Sequence, residues 1–283
     1  MTEAVLVVDA QIHLWSGGEP GPAHRRDPYG IDEALADMAA AGVDASVIVP
    51  PPWDPNANAL AARAAYLHPD KFAVMGHVAA HDRASAPCFE ALREQPGMLG
   101  VRVAFSQPAT RPGLTEGAAD WLWPLAADAG VPIAVFAPGL LDHVRLIAER
   151  HPGLRLVIDH MGLVTGARDA EAFEPVLAPL AALAELPNVS LKLSSSPAYS
   201  SAPFPYENID RYLGELVALF GAQRCFWGTD ITRLQCTWRQ AVTHFSEHLG
   251  SLSAEDVDWI MGRALCEWLS WPQPLLAESS GGR

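Results

Sequence analysis

The stretch Val5-Leu6-Val7-Val8-Asp9-Ala10-Gln11-Ile12-His13-Leu14-Trp15 decides how the rest of the chain is read. Four apolar residues, three of them valine, lead into Asp9, Gln11 and His13 at alternate positions. That is the pattern of a buried parallel strand whose C-terminal end turns polar. Side chains at i, i+2 and i+4 of an extended chain project to one side, so the spacing aims all three at one cavity. The same letters also suit a strand that ends at Asp9, with Gln11 in solvent and His13 packed, and the remainder of the chain decides between the two.

Working outward, strand and helix patterns alternate. Strands are expected at 44–49, 72–78, 99–105, 131–136, 154–160, 189–194 and 224–230. Helices are expected between them at 31–41, 58–67, 88–93, 121–129, 141–150, 170–186 and 209–220, several closed by glycine (Gly42, Gly97, Gly130, Gly221). Residues 16–30, which carry Arg25 and Arg26, form a loop too long for a plain connector. Eight strands with a helix-length crossover after each give an α/β chain closed as a single (β/α)8 TIM barrel. The barrel domain is expected over 1–271, with two additional C-terminal helices at 238–249 and 254–269 and a flexible tail at 272–283. The rival, an open doubly wound sheet, lacks its usual sign, since no Gly-rich phosphate loop follows any strand.

Composition narrows the partners. A net charge of −14 argues against nucleic acid and anionic membrane surfaces, and requires any anionic substrate to be gathered by a few local cations. No apolar run reaches the ~20 residues of a membrane span, and the start lacks the layout of a signal peptide, so a cytoplasmic protein acting on a small molecule is expected. Cys88, Cys225, Cys236 and Cys266 form no CxxC pair and read as small hydrophobes.

Barrel chemistry sits at the C-terminal mouths of the strands. Those positions hold Asp9, Gln11 and His13, then Trp53, His77, Arg102, Phe136, His160, Lys192, Ser194 and Asp230. Single histidines such as His77 and His81 are commonly packed or surface residues, and Lys192 within Leu-Lys-Leu can alternate outward or pair with a carboxylate. His160 and Asp230 each close an apolar strand with a polar group, which favours function.

Asp9-Ala10-Gln11-Ile12-His13, Gly100-Val101-Arg102-Val103, Val157-Ile158-Asp159-His160-Met161-Gly162, Leu191-Lys192-Leu193-Ser194 and Trp227-Gly228-Thr229-Asp230 together resemble the amidohydrolase superfamily. The closer likeness is to its amidohydrolase-related branch, which includes 2-pyrone-4,6-dicarboxylate lactonase and sugar-lactone hydrolases. The resemblance implies functional roles for His13, His160 and Asp230. It also exposes departures: Gln11 stands where the branch carries the first histidine of Asp-x-His-x-His, and Phe136 stands where metal-dependent relatives carry a ligand.

The resulting expectation is a metal-independent hydrolase of a carboxylate-bearing cyclic ester. Asp230 is expected as base on water, with His13 and His160 polarising the carbonyl. Gln11, Arg102, Trp53, His77, Lys192 and Ser194 are expected to bind substrate, Arg102 by clamping the carboxylate. The alternatives are one zinc held by His13, His160 and Asp230, a non-oxidative decarboxylase or C–C or amide hydrolase, and a non-catalytic barrel that keeps a ligand site.

Overall fold

The structure, a computed structural model, describes residues 5–272. Eight parallel strands pair in sequence order into one sheet. They are β1 (Val8–Ile12), β2 (Ala45–Ile48), β3 (Phe72–His77), β4 (Met98–Ala104), β5 (Ile133–Phe136), β6 (Leu156–Ile158), β7 (Val189–Lys192) and β8 (Cys225–Phe226). The first and last strands meet through Ala10 N donating to Trp227 O and Asp230 N donating to Gln11 O, which brings the sheet round on itself. Gly228 permits that approach, because a Cβ there would stand 3.1 Å from Ala10 N.

The outer ring comprises α1 (Ile31–Ala41), α2 (Ala57–Leu67), α3 (Ala86–Arg93), α4 (Pro112–Thr115), α5 (Leu122–Ala129), α6 (Leu141–Arg150), α7 (Asp169–Ala184) and α8 (Glu207–Phe220). Helix α1 shows the local logic. Ala34, Met38 and Ala41 bury one face, and Gly42, at φ 77°, takes the left-handed turn whose N–H returns to Met38 O.

The barrel is filled rather than hollow. Val8, Ala10, Ala45, Val47, Ala73, Met75, Ala134, Val157 and Phe226 form a cluster distinct from the one between sheet and helices. Alanine at several inward positions leaves room for Met75 and Phe226. Two C-terminal helical runs follow: α9 (Trp238–Thr243), then α10 (Ala254–Asp258) and α11 (Ala264–Leu269). Leu265 and Leu269 of α11 plug the barrel's closed end. Each run carries a wide π turn, at His244–His248 and Trp259–Arg263. In the second, Ile260 O is freed to accept from Trp227 N, stitching the helix to the chain just past β8. Among the described residues no helix is long and apolar enough to cross a membrane. The tail expected from residue 272 lies, beyond Pro272 itself, outside the described residues.

Among the strands that end short of expectation, two matter for the site. The sixth strand stops at Ile158 and the eighth at Phe226, short of His160 and Asp230. Both polar residues occupy left-handed backbone, at φ 51° and 54°. A strand pattern in the sequence runs on through them because the turn is dictated by what the side chains meet, not by local propensity.

Candidate active site

Holding a non-glycine residue in left-handed backbone has a cost, and the surrounding contacts must impose it. Asp230 is fixed by its N–H on Gln11 O, and His160 and Met161 by the tight turn Asp159–Gly162 that follows β6. The effect is to turn both side chains across the barrel mouth instead of along the strands.

Beneath them lies a closed polar chain. Asp159 receives Lys192 Nζ at 2.9 Å and Arg102 Nε at 3.0 Å. Lys192 Nζ also donates to Gln11 Oε1 at 3.1 Å. Because ammonium only donates, this contact fixes the amide's orientation and leaves Gln11 Nε2 to donate to His160 Nε2 at 3.1 Å. Neutral His160 therefore carries its proton on Nδ1, which meets Ser194 Oγ at 2.9 Å and Ser195 Oγ at 3.3 Å. Burial opposes the Asp159 charge, but Lys192 and Arg102 outweigh it and hold the carboxyl far below its usual range. Burial pulls the Lys192 ammonium down, against the pull of Asp159.

This network corrects three expected substrate contacts. Gln11, Lys192 and Ser194 are fully buried and lie under the cavity rather than lining it, because each is consumed by a protein partner. Asp9 departs as well. The β1–β2 register shifts between Asp9 and Ile12, so strict alternation fails there. Asp9 instead accepts from Thr229 N, Thr229 Oγ1 and Trp238 Nε1, tying β1 to β8 and α9; burial pushes it up to about 7 against those donors.

Above the network opens a cavity of about 600 Å³ lined by His13, His24, Trp53, His77, Arg102, Phe136, His160, Asp230 and Arg233, among others. His13 Nδ1 lies 2.5 Å from Val49 O. A carbonyl only accepts, so that nitrogen holds a proton, and in the neutral ring, which burial favours, Nε2 presents a lone pair. It faces Asp230 Oδ1 at 3.3 Å, an oxygen with no hydrogen-bond partner of its own. Asp230 Oδ2 has His160 Nε2 and Arg233 Nη1, each at 3.7 Å. Burial would raise the Asp230 pKa, but the facing histidines and Arg233 bring it down to about 2. Burial lowers the imidazoles instead, His13 despite Asp230, His160 to about 3, and His24 and His77 to about 4. Neither His13 nor His160 has a free N–H for a developing oxyanion, so the expected polarising role falls to other donors. The cations of the wall are Arg102, packed over Phe136 at 5.3 Å, and Arg233, over Tyr199 at 5.8 Å. Arg102 keeps its two Nη groups without a protein acceptor among the described residues, its one bond being through Nε.

Two ionisable lining residues escaped the sequence reading. Arg233 lies three positions past Asp230, and His24 sits in the long first loop. That loop is tied at its base by the Trp15–Tyr29 bridge, near its start by Asp54 Oδ2 accepting from Ser16 N and Gly17 N, and at its far side by Arg25 N on Thr232 O. Gly18, at φ 85°, lies where a Cβ would meet Trp53 O at 2.1 Å. His24 itself packs on Trp53 at 4.9 Å and places Nδ1 3.0 Å from Thr232 Oγ1. The excessive length of the loop was the one signal available for it.

His13, His24 and Asp230 bring ligand atoms within 4.8 Å of one another, and this set fits a divalent cation: two imidazoles, one carboxylate, one unpartnered buried oxygen. Gln11, Phe136 and His160 do not join it, the first and last because they are bonded to each other and Phe136 because it has no donor atom.

Residues 8–264 match the family model described as amidohydrolase. No curated protein matches the sequence. Among solved structures, an amidohydrolase from Burkholderia multivorans with bound zinc shares 20% identity at a TM-score of 0.80, covering 94% of this chain and 100% of that one. A protein named as a 2-pyrone-4,6-dicarboxylic acid hydrolase from Pseudomonas putida shares 21% identity at a TM-score of 0.68, covering 95% and 98%. The 5-carboxyvanillate decarboxylase of Sphingomonas paucimobilis shares 15% at 0.66, covering 95% and 100%. At such identities the likeness is one of fold.

Proposed function

The chain belongs to the amidohydrolase family, and from that premise we propose that it is a cytoplasmic hydrolase of a cyclic ester bearing at least one carboxylate. The observation that carries the reading is an ionised, buried carboxylate, Asp230, sharing a cavity with Arg102 and Arg233 in a chain of net charge −14. Such local cations select an anionic substrate, and Arg102's free Nη pair suits a carboxylate taken in bidentate fashion.

Asp230 Oδ1 accepts a proton from water, and His13 Nε2 is a second acceptor that orients it, leaving the water's lone pair for the ester carbonyl. The carbonyl oxygen gains charge as the tetrahedral centre forms, and Arg233 is the cation nearest Asp230 to meet it. Collapse breaks the ring C–O bond, and the proton taken by Asp230 passes to the departing alkoxide. These groups complete the step unaided, so turnover without a metal is the first reading. The test is a lactone panel assayed on chelator-treated protein: carboxylate-bearing lactones are opened at an undiminished rate. Hydrolysis of neutral lactones alone, or release of carbon dioxide from an aromatic acid in place of ring opening, overturns it.

A second reading, metal-assisted hydrolysis, is favoured by the convergence of His13, His24 and Asp230, and by the zinc in the Burkholderia structure. A cation held by those residues would lower the pKa of a bound water toward 7. Activity lost on chelation and restored by zinc selects this reading.

A further inference from the structure

We infer that the loop between β1 and α1 completes a divalent transition-metal site, with His24 joining His13 and Asp230 in place of the ligand that Gln11 cannot supply. The inference concerns occupancy of the resting protein and stands whether or not hydrolysis needs the ion.

Two lone pairs meet at the cavity wall. His13 Nε2 and Asp230 Oδ1 face each other at 3.3 Å, and the imidazole proton is engaged on Val49 O at the other end of the ring. Two acceptors in contact, both buried, call for a proton donor or a cation between or beside them. The separation itself is informative. Ligands about 2.0–2.1 Å from a tetrahedral zinc stand about 3.3 Å apart, the spacing of His13 Nε2 and Asp230 Oδ1 here. Asp230 Oδ1 has no hydrogen-bond partner among the described residues.

His24 brings the third donor. Its Nδ1 lies 4.0 Å from Asp230 Oδ1 and 3.0 Å from Thr232 Oγ1, a hydroxyl that can rotate its proton away and leave the lone pair to a cation, and the ring is held by its packing on Trp53 and by the adjacent Arg25 N–H on Thr232 O. This loop is tied down over its length, so the ordering of the ligand is met in the fold. The Nδ1–H of His13 on a backbone carbonyl is the support that ligating imidazoles commonly carry, fixing the tautomer that leaves Nε2 free. His160 is excluded because its Nε2 lone pair accepts the Gln11 amide. Two imidazoles and a carboxylate favour zinc and similar first-row ions over magnesium or calcium, which select oxygen.

The test is cobalt(II) titration of chelator-stripped, dialysed protein, followed by visible absorption and calorimetry. One equivalent is expected, with d–d bands that added zinc erases. His24→Ala is expected to weaken uptake by at least 10–100-fold, about the loss seen when a group that merely orients a ligand is removed. His24→Cys is expected to retain one equivalent and to gain a thiolate-to-cobalt charge-transfer band absent from the wild type, a signature only direct ligation produces. Absence of stoichiometric uptake by folded wild-type protein overturns the inference. So does a pattern in which His160→Ala abolishes binding and His24→Ala leaves it unchanged. Neither outcome bears on lactone opening, which is read separately by turnover.

Discussion

Two groups of polar residues share the barrel mouth, and they differ in how completely the protein answers them. On the floor, Asp159 is ion-paired to Lys192 at 2.9 Å, and Lys192, Gln11, His160 and Ser194 continue as a chain of hydrogen bonds. On the wall, His13 and Asp230 present acceptor to acceptor, and the Nη groups of Arg102 find no protein acceptor among the described residues. A satisfied network holds a shape, while an unsatisfied one is completed from outside. Burial cannot tell the groups apart, since Lys192 and Asp230 are both almost wholly enclosed. The partner of each carboxylate can: Asp159 Oδ1 has the Lys192 ammonium at 2.9 Å, whereas Asp230 Oδ1 has only the His13 imidazole at 3.3 Å.

The contrast is broken most sharply at Asp230. Asp230→Asn keeps the shape and loses the basicity, and is expected to fold normally while kcat falls by roughly 10²–10⁴. A folded variant, checked by circular dichroism, that turns over at near wild-type rate removes the wall from the chemistry. Arg102→Ala comes next, because it takes a cation from the wall while Lys192 still neutralises Asp159 on the floor. Losing a charge-assisted clamp costs about 2–3 kcal/mol of binding, read as a raised KM with kcat largely kept. A fall confined to kcat assigns Arg102 to the oxyanion.

Stability sharpens the comparison further. Gln11→Ala opens the floor at its centre, leaving Lys192 and His160 each short of a partner, and is expected to destabilise by about 1–3 kcal/mol in urea. His24→Ala, on the wall, is expected to stay within about 0.5 kcal/mol when both proteins are compared stripped of metal. Equal losses at the two positions erase the distinction. The smallest effect is the response to pH. With Asp230 near 2 and His160, His24 and His77 near 3 to 4, the base is ionised and these imidazoles neutral well below neutrality. The pH profile of kcat/KM is therefore expected to rise only in acid and to be level from about pH 6 to 8. An inflection near 6.5, the ordinary histidine value, shows an imidazole titrating in the free enzyme and refutes that ordering.

Alternation of apolar runs with helical patterns, closed by Gly42 and Gly130, was enough to read the eight-stranded barrel and its C-terminal helices, because burial period and turn chemistry are local properties of the chain. The mouth positions of His13, His160 and Asp230 followed from the same count. Partner assignment did not. Whether Gln11 meets substrate or Lys192 is set by residues 181 positions apart. The outward turn of Asp9 depends on a register shift, and the arrival of His24 depends on a loop anchored to Asp54 and Thr232. The sequence thus determined the scaffold and the residues gathered at its mouth, since short-range periodicity writes both. Only the tertiary structure decided which of those residues are consumed by one another and which are left facing the cavity, because a hydrogen bond is settled by distance and direction in space, and neither is written in the spacing of the chain.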